Sequence, residues 1–190
     1  MQKTGTHRQK LLFLIMIGLI CLLSGCFKHT SSLDSMETVL YQDPHGYQLT
    51  IPQEWMSVTE GNTVTFTSAD GQISLKIITE LGGYGFYSME EIGGNVLEAL
   101  RQQFADIFVE RELFVINAKK QFRQLLSFSE QGSRMKMDNY IYSPMASVNY
   151  FLFFVAEENN YNNMSGIFND IIRSLSLYLS ADEIYLQLPA

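Results

Sequence analysis

Sulfur and imidazole are scarce in this chain: 190 residues hold two cysteines and three histidines. Position makes them scarcer still. Cys21 lies within an apolar stretch near the N-terminus, His7 precedes that stretch and His29 follows it closely, so His45 is the only histidine of the region with folding patterns. No G-x-S-x-G occurs, and a Ser-His-Asp site would have to use that one turn histidine. Zinc usually takes three or four Cys or His ligands, and Asp43 with His45 is no such set. Positive charge is also in deficit, with 13 Lys and Arg against 20 Asp and Glu. Nucleic-acid affinity rests on clustered cations that displace counterions, so nucleic acid is excluded as a partner. The expectation is a non-enzymatic protein without metal or cofactor.

One long hydrophobic run is present, Leu11 to Leu23, behind a positive segment of Lys3, Arg8 and Lys10. That is the layout of a secretory signal peptide; a membrane span needs about 20 apolar residues. The run closes on Leu23-Ser24-Gly25-Cys26, which resembles the bacterial lipobox. The resemblance implies recognition of Leu23, Ser24 and Gly25 by signal peptidase II, cleavage before Cys26 and acylation of its thiol, with diacylglycerol and palmitate as the anchor. Residues 1–25 would then be removed, taking three basic and no acidic residues, and the mature chain would carry a net charge of −10. The domain would sit outside the cytoplasm, on the outer leaflet of the plasma membrane, or in the periplasm or at the outer membrane if the cell has two membranes.

Residues 26–37 are polar and without period and read as a flexible tether; residues 38–190 suffice for a single domain. Thr38 to Gln42 and Tyr47 to Ile51 flank Asp43-Pro44-His45-Gly46, residues that favour a turn. Thr63 to Ser68 and Gln72 to Thr79 alternate across Asp70-Gly71, a strong hairpin signal. Ser88 and Glu91 have capping-box spacing and open an amphipathic helix expected to end near Phe108. Gly93-Gly94 leaves two possibilities, a helix that begins at Asn95 or a helix backbone packed closely on a sheet. Leu113 to Asn117, Phe122 to Ser129, Met135 to Tyr142 and Ser147 to Ala156 read as further strands, with turns at residues 118–120, Gln131-Gly132 and Ser143-Pro144. Tyr150 to Ala156 is apolar at every position, as in a central strand covered on both faces. Met164, Ile167, Phe168, Ile171, Ile172 and Leu175 give a second helix its apolar stripe. Ser180 and Glu183 are placed to cap a short third helix. The fold class is α+β: an α/β/α sandwich on a twisted antiparallel sheet of about seven strands, with one or more helices on each face.

The segment Gly46 to Trp55, an aromatic strand ending in Pro-x-x-Trp, resembles the opening of PsbP-like domains. The strand Tyr150 to Ala156 followed by Phe168, Ile171-Ile172 and Ser174-Leu175 is similar to that family's closing strand and helix. The resemblance runs over residues 38 to 178 and implies the same α/β/α sandwich. It brings no catalytic signature, and fold-level analogy does not transfer function.

One segment points to binding. Leu81 to Tyr87 joins a strand to a helix and places Tyr84, Phe86 and Tyr87 beside three glycines. Aromatic side chains with a polar handle anchor interfaces, so these three are the candidate contacts for a protein partner at the cell surface. The alternative is a carrier that holds a small apolar or amphipathic ligand between sheet and helix. The basic residues make no common patch: Arg134 should pair near Ser129, about 20 Å along its strand from Arg123.

Overall fold

The computed structural model describes residues 31–82, 87–104, 106–116, 120–145, 148–180 and 183. Among these residues, ten strands and two α-helices follow one another as β1 (Thr38–Gln42), β2 (Tyr47–Pro52), β3 (Met56–Glu60), β4 (Thr63–Thr67), β5 (Ile73–Leu81), α1 (Met89–Gln103), β6 (Phe108–Ile116), β7 (Lys120–Glu130), β8 (Ser133–Met145), β9 (Val148–Glu157), α2 (Glu158–Ser174) and β10 (Ser176–Leu177). Seven strands form one antiparallel sheet in the order β3-β4-β5-β9-β8-β7-β6, and β1-β2-β10 form a second. The expected sandwich is present, with one helix on each face of the large sheet and the small sheet sharing the α2 side.

Strand β9 divides the two cores by the period-2 alternation of a strand. Val148, Tyr150, Leu152, Phe154 and Ala156 point to the α2 side, where Ile167, Phe168 and Ile171 join Tyr47, Leu49 and Ile51 of β2. The intervening Phe151 meets Ile92 of α1, with Phe122 and Ile141. Leu97 continues the α1 seam onto Leu126, Phe128 and Met137. Trp55 belongs to the α2-side core, stacked on Phe154 at 6.5 Å.

Helix α1 begins at Met89, not Asn95. The Ser88 hydroxyl accepts from the Glu91 amide (3.2 Å) and the Glu91 carboxylate accepts from the Ser88 amide (2.8 Å), a complete capping box. Gly93 is where the helix backbone meets the sheet: a Cβ there would lie 2.6 Å from Phe122 Cζ. The helix ends at Gln103 rather than near Phe108. Phe104 leaves helical geometry at φ −123° and ψ 102°, and β6 starts at Phe108, with a bulge between Val109 and Arg111.

Other expectations also shift. Strand β3 was not apparent in the sequence because all five of its residues are exposed. Ser143-Pro144 does not turn the chain; β8 runs on to Met145 with its register disturbed after Tyr142, where a strand tolerates proline. The turn at Gln131-Gly132 forms with both φ values positive, 49° and 85°, the backbone of a tight two-residue hairpin. Arg134 pairs with Ser129 as expected. The Ser180 hydroxyl and amide both donate to Glu183 (2.7 and 2.8 Å); the rest of that expected helix lies outside the described residues.

The largest departure is in the expected tether. From Ser31 onward the chain is pinned to α2. The Ser31 amide donates to Asn163 O (2.9 Å), and the Ser32 hydroxyl (2.8 Å) and Leu33 amide (3.2 Å) donate to the Asp170 carboxylate. A 3-10 turn over Leu33–Ser35 buries Leu33 in the main core.

Candidate functional site

Helix α1 does not cover its whole face of the sheet. Ile92, Gly93 and Leu97 seat it over β7 and β8, so among the described residues the β5 side of that face is left partly uncovered. The gap between helix and sheet is a groove of about 420 Å³, within the range of small-molecule sites. Its floor is Phe151, Phe153 and Val155 of β9 with Ile78 of β5, and its helical wall is Val96, Leu100 and Phe104. Phe153 and Val155 touch the α1-side clusters at their edge and remain only partly buried on the central strand.

The rim is polar. Ser74, Lys76 and Glu80 come from β5, and Asn95 and Gln103 from α1. Lys76 stands between Thr65 and Phe153 in the cross-strand row; it is exposed and makes no ion pair among the described residues. Lys76 and Glu80 lie four residues apart on one strand, about 13 Å. The groove therefore offers an apolar bed with a cation over its middle.

Asp43 and His45 make a different arrangement. Asp43 is fully buried and accepts from the His45 amide (2.9 Å), from His45 Nδ1 (2.7 Å) and from the Tyr41 hydroxyl (2.9 Å). The Tyr178 hydroxyl donates to Asp43 O (2.7 Å) and the Tyr150 hydroxyl to His45 O (3.0 Å). No serine, threonine or cysteine is among these partners. The set fastens the β1–β2 turn to β9 and to the chain after α2. Burial, with the Asp43 charge next in weight, pushes the Tyr41 phenol up to about 12.

A second buried group welds α2 to the sheet. Arg123 donates through Nε (2.7 Å) and Nη2 to Asp138 and through Nη1 to Asn169 (2.8 Å), while the Tyr161 hydroxyl also donates to Asp138 (2.7 Å). The guanidinium lies over the Phe168 ring at 5.5 Å. These side chains bond to one another across the α2–sheet interface. Among the described residues, no three His, Cys, Asp or Glu side chains gather as a metal site, and no helix is long and apolar enough to cross a membrane.

Of the residues singled out in the sequence, Leu23, Ser24, Gly25, Cys26, Tyr84 and Phe86 lie outside the described residues. Tyr87 is 46% exposed, just ahead of the α1 cap. Residue-level reasoning missed the groove side chains. Their signal was present in β5, where Ile73, Leu75 and Ile77 face one way and Ser74, Lys76 and Ile78 the other; an isoleucine beside a lysine on the second face marks a surface that is half covered.

No protein-family model matches this sequence, and no curated protein matches it significantly. Solved structures do resemble it. A protein of unknown function, PA94 from Pseudomonas aeruginosa, aligns over 76% of this chain and 99% of its own, with a TM-score of 0.52 and 13% identity. A Bacteroides thetaiotaomicron protein has the same TM-score and identity over 76% of this chain, which spans half of that protein's length. LpqN of Mycobacterium tuberculosis, described as involved in cell envelope biogenesis, has a TM-score of 0.48 and 13% identity over 75% of this chain and 91% of its own. At 13% identity, what the first two share with this chain is the fold.

Proposed function

We propose that this protein is a membrane-tethered lipoprotein whose PsbP-like domain, held outside the cytoplasm by acylated Cys26, is a non-enzymatic carrier of one amphipathic molecule with an anionic head. The observation that carries the reading is the groove under α1, with an apolar floor and an unpaired Lys76 above it. An apolar chain lying on Phe151, Phe153 and Val155 gains by leaving water, and a charged head beside Lys76 gains a charge-assisted hydrogen bond. The mature net charge of −10 would repel an anion elsewhere on the surface, so the lysine selects position as well as charge.

The test is binding of dansyl-labelled undecanoate to the domain beginning at Ser31, read by fluorescence. Lys76→Glu should weaken it by about tenfold or more, which is about 1.4 kcal/mol. Ala99→Trp, which fills the exposed helical wall, should weaken it similarly, and neither change should lower the melting temperature by more than a degree or two. Wild-type affinity in both variants would remove the groove as the site.

A second reading, a protein partner held through Tyr84, Phe86 and Tyr87, draws on the exposure of Tyr87. Tyr84→Ala with Phe86→Ala would then cut recovery of a crosslinked partner from intact cells and leave undecanoate binding unchanged. Unaltered recovery would dismiss it.

A further inference from the structure

Cys26 and the first described residue, Ser31, are five steps apart, and five residues reach at most about 18 Å when fully extended. The point at which the chain joins the fold is fixed. Ser31 bonds to Asn163, and Ser32 and Leu33 bond to Asp170, all along one flank of α2 that is exposed at Asn163. The Ser32 hydroxyl, foremost, with the Leu33 amide and Arg173, holds the Asp170 carboxyl below its ordinary range.

We propose that the outer side of α2 rests on the anchoring bilayer and that the ligand groove under α1 opens away from it. The proposal rests on the acylation of Cys26 and the carrier reading given above. A compact domain of about 150 residues has a radius of gyration of about 15 Å, so a surface path of roughly 60 Å separates opposite faces. A reach of about 18 Å cannot bring the α1 face onto the membrane while the clasp holds.

Charge favours the same side. Along α2 the sequence is Glu-Asn-Asn-Tyr-Asn-Asn-Met-Ser-Gly from residue 158, neutral except at Glu158, which is paired with Lys136 and Arg134. Asp170 is likewise matched by Arg173 (3.1 Å). A domain that is strongly acidic as a whole thus turns an amide-rich, charge-balanced side toward lipid headgroups. Helix α1, by contrast, carries Glu90, Glu91 and Glu98 against Arg101, and an anionic surface repels it. The carrier would exchange its ligand with something facing it across the aqueous space, not with the leaflet that holds it.

The acylated full-length protein, reconstituted in phosphatidylcholine vesicles containing a headgroup-spin-labelled lipid, tests this orientation. Single cysteines carry a fluorophore at Asn159→Cys, on exposed α2 surface, or at Glu98→Cys, whose wild-type side chain is 68% exposed on α1. Quenching should be at least threefold stronger at position 159 than at 98. Inserting ten Gly/Ser residues after His29 should remove most of that difference without changing the melting temperature. Equal quenching in the short-tethered protein, or stronger quenching at 98, overturns the orientation even where undecanoate binding behaves as proposed. Failure of the wild-type protein to float with vesicles, or palmitate labelling that survives Cys26→Ser, overturns the anchor on which it stands.

Discussion

At Gly93 the backbone of α1 is itself the packing surface, and the neighbouring glycine does a different job. A Cβ at Gly93 would press on the Phe122 ring, whereas a Cβ at Gly94 would meet nothing within 4 Å. Alanine gains about 0.5–1 kcal/mol over glycine inside a helix, and overpacking a filled core costs about 1–3 kcal/mol. Gly94→Ala should therefore raise the urea midpoint and Gly93→Ala should lower it, the two variants straddling the wild type. Midpoints moving together, in either direction, would mean that α1 is not seated on Phe122. The sequence showed the glycine pair and its two possible meanings, but only the register of β7 under the helix decides which glycine has a neighbour. Lys76 was hidden for the same reason: a lysine in a strand reads as solvent-facing until the helix beside it leaves a gap.

Elements declare themselves when one face is buried and the period is long. Helix α2 was legible to within a few residues because Ile167, Phe168 and Ile171 recur at helical spacing and all are fully buried. Phe168 stacks on Phe154 at 4.7 Å and lies under Arg123, so Phe168→Ala removes a ring from the centre of the main core. Lost transfer energy plus the cavity should cost about 3–5 kcal/mol, read as a fall in the denaturation midpoint. An unchanged midpoint would mean that α2 is not docked. Elements without a buried face stayed hidden. Strand β3 is exposed at every position, and the end of α1 was misplaced because Ile107 continues the apolar period after the helix has stopped at Gln103. The short β10 adds only Ser176 and Leu177 to the edge of β2, too little to leave a pattern. The expected tether failed on a contact 138 residues away, Ser32 to Asp170, which no local reading supplies.

At the scale of the molecule, tyrosines beside Leu49 and Ile51 join the small sheet to the large one, and no ion pair does so among the described residues. Tyr47 packs against Tyr150 at 5.2 Å, Tyr150 against Tyr142 at 6.1 Å and Tyr41 against Phe66 at 4.9 Å. Burial raises the phenols of Tyr41, Tyr47, Tyr140, Tyr142, Tyr150 and Tyr161 above the ordinary value, and for Tyr47, Tyr150 and Tyr161 a nearby carboxylate adds to the effect. The sign of the resulting pH dependence follows. In the unfolded chain these groups ionise near about pH 10, while in the fold Tyr41 waits until about 12 and the more deeply buried phenols resist further. Above about pH 10 the unfolded state releases protons that the native state keeps, so stability falls as pH rises. Below about pH 9 the phenols are nearly all neutral in both states and contribute almost no slope. The urea midpoint should accordingly lose almost nothing to phenol ionisation between about pH 7 and 8.5, begin to fall near about pH 9 and drop steeply from about pH 10 upward. Phenolate absorbance should show the same division: at about pH 11 the folded protein should have ionised clearly fewer of its ten tyrosines than the urea-unfolded protein at the same pH. If the folded protein reached the full unfolded absorbance with its circular dichroism intact, the phenols would be open to solvent, and the two sheets would not be joined through them.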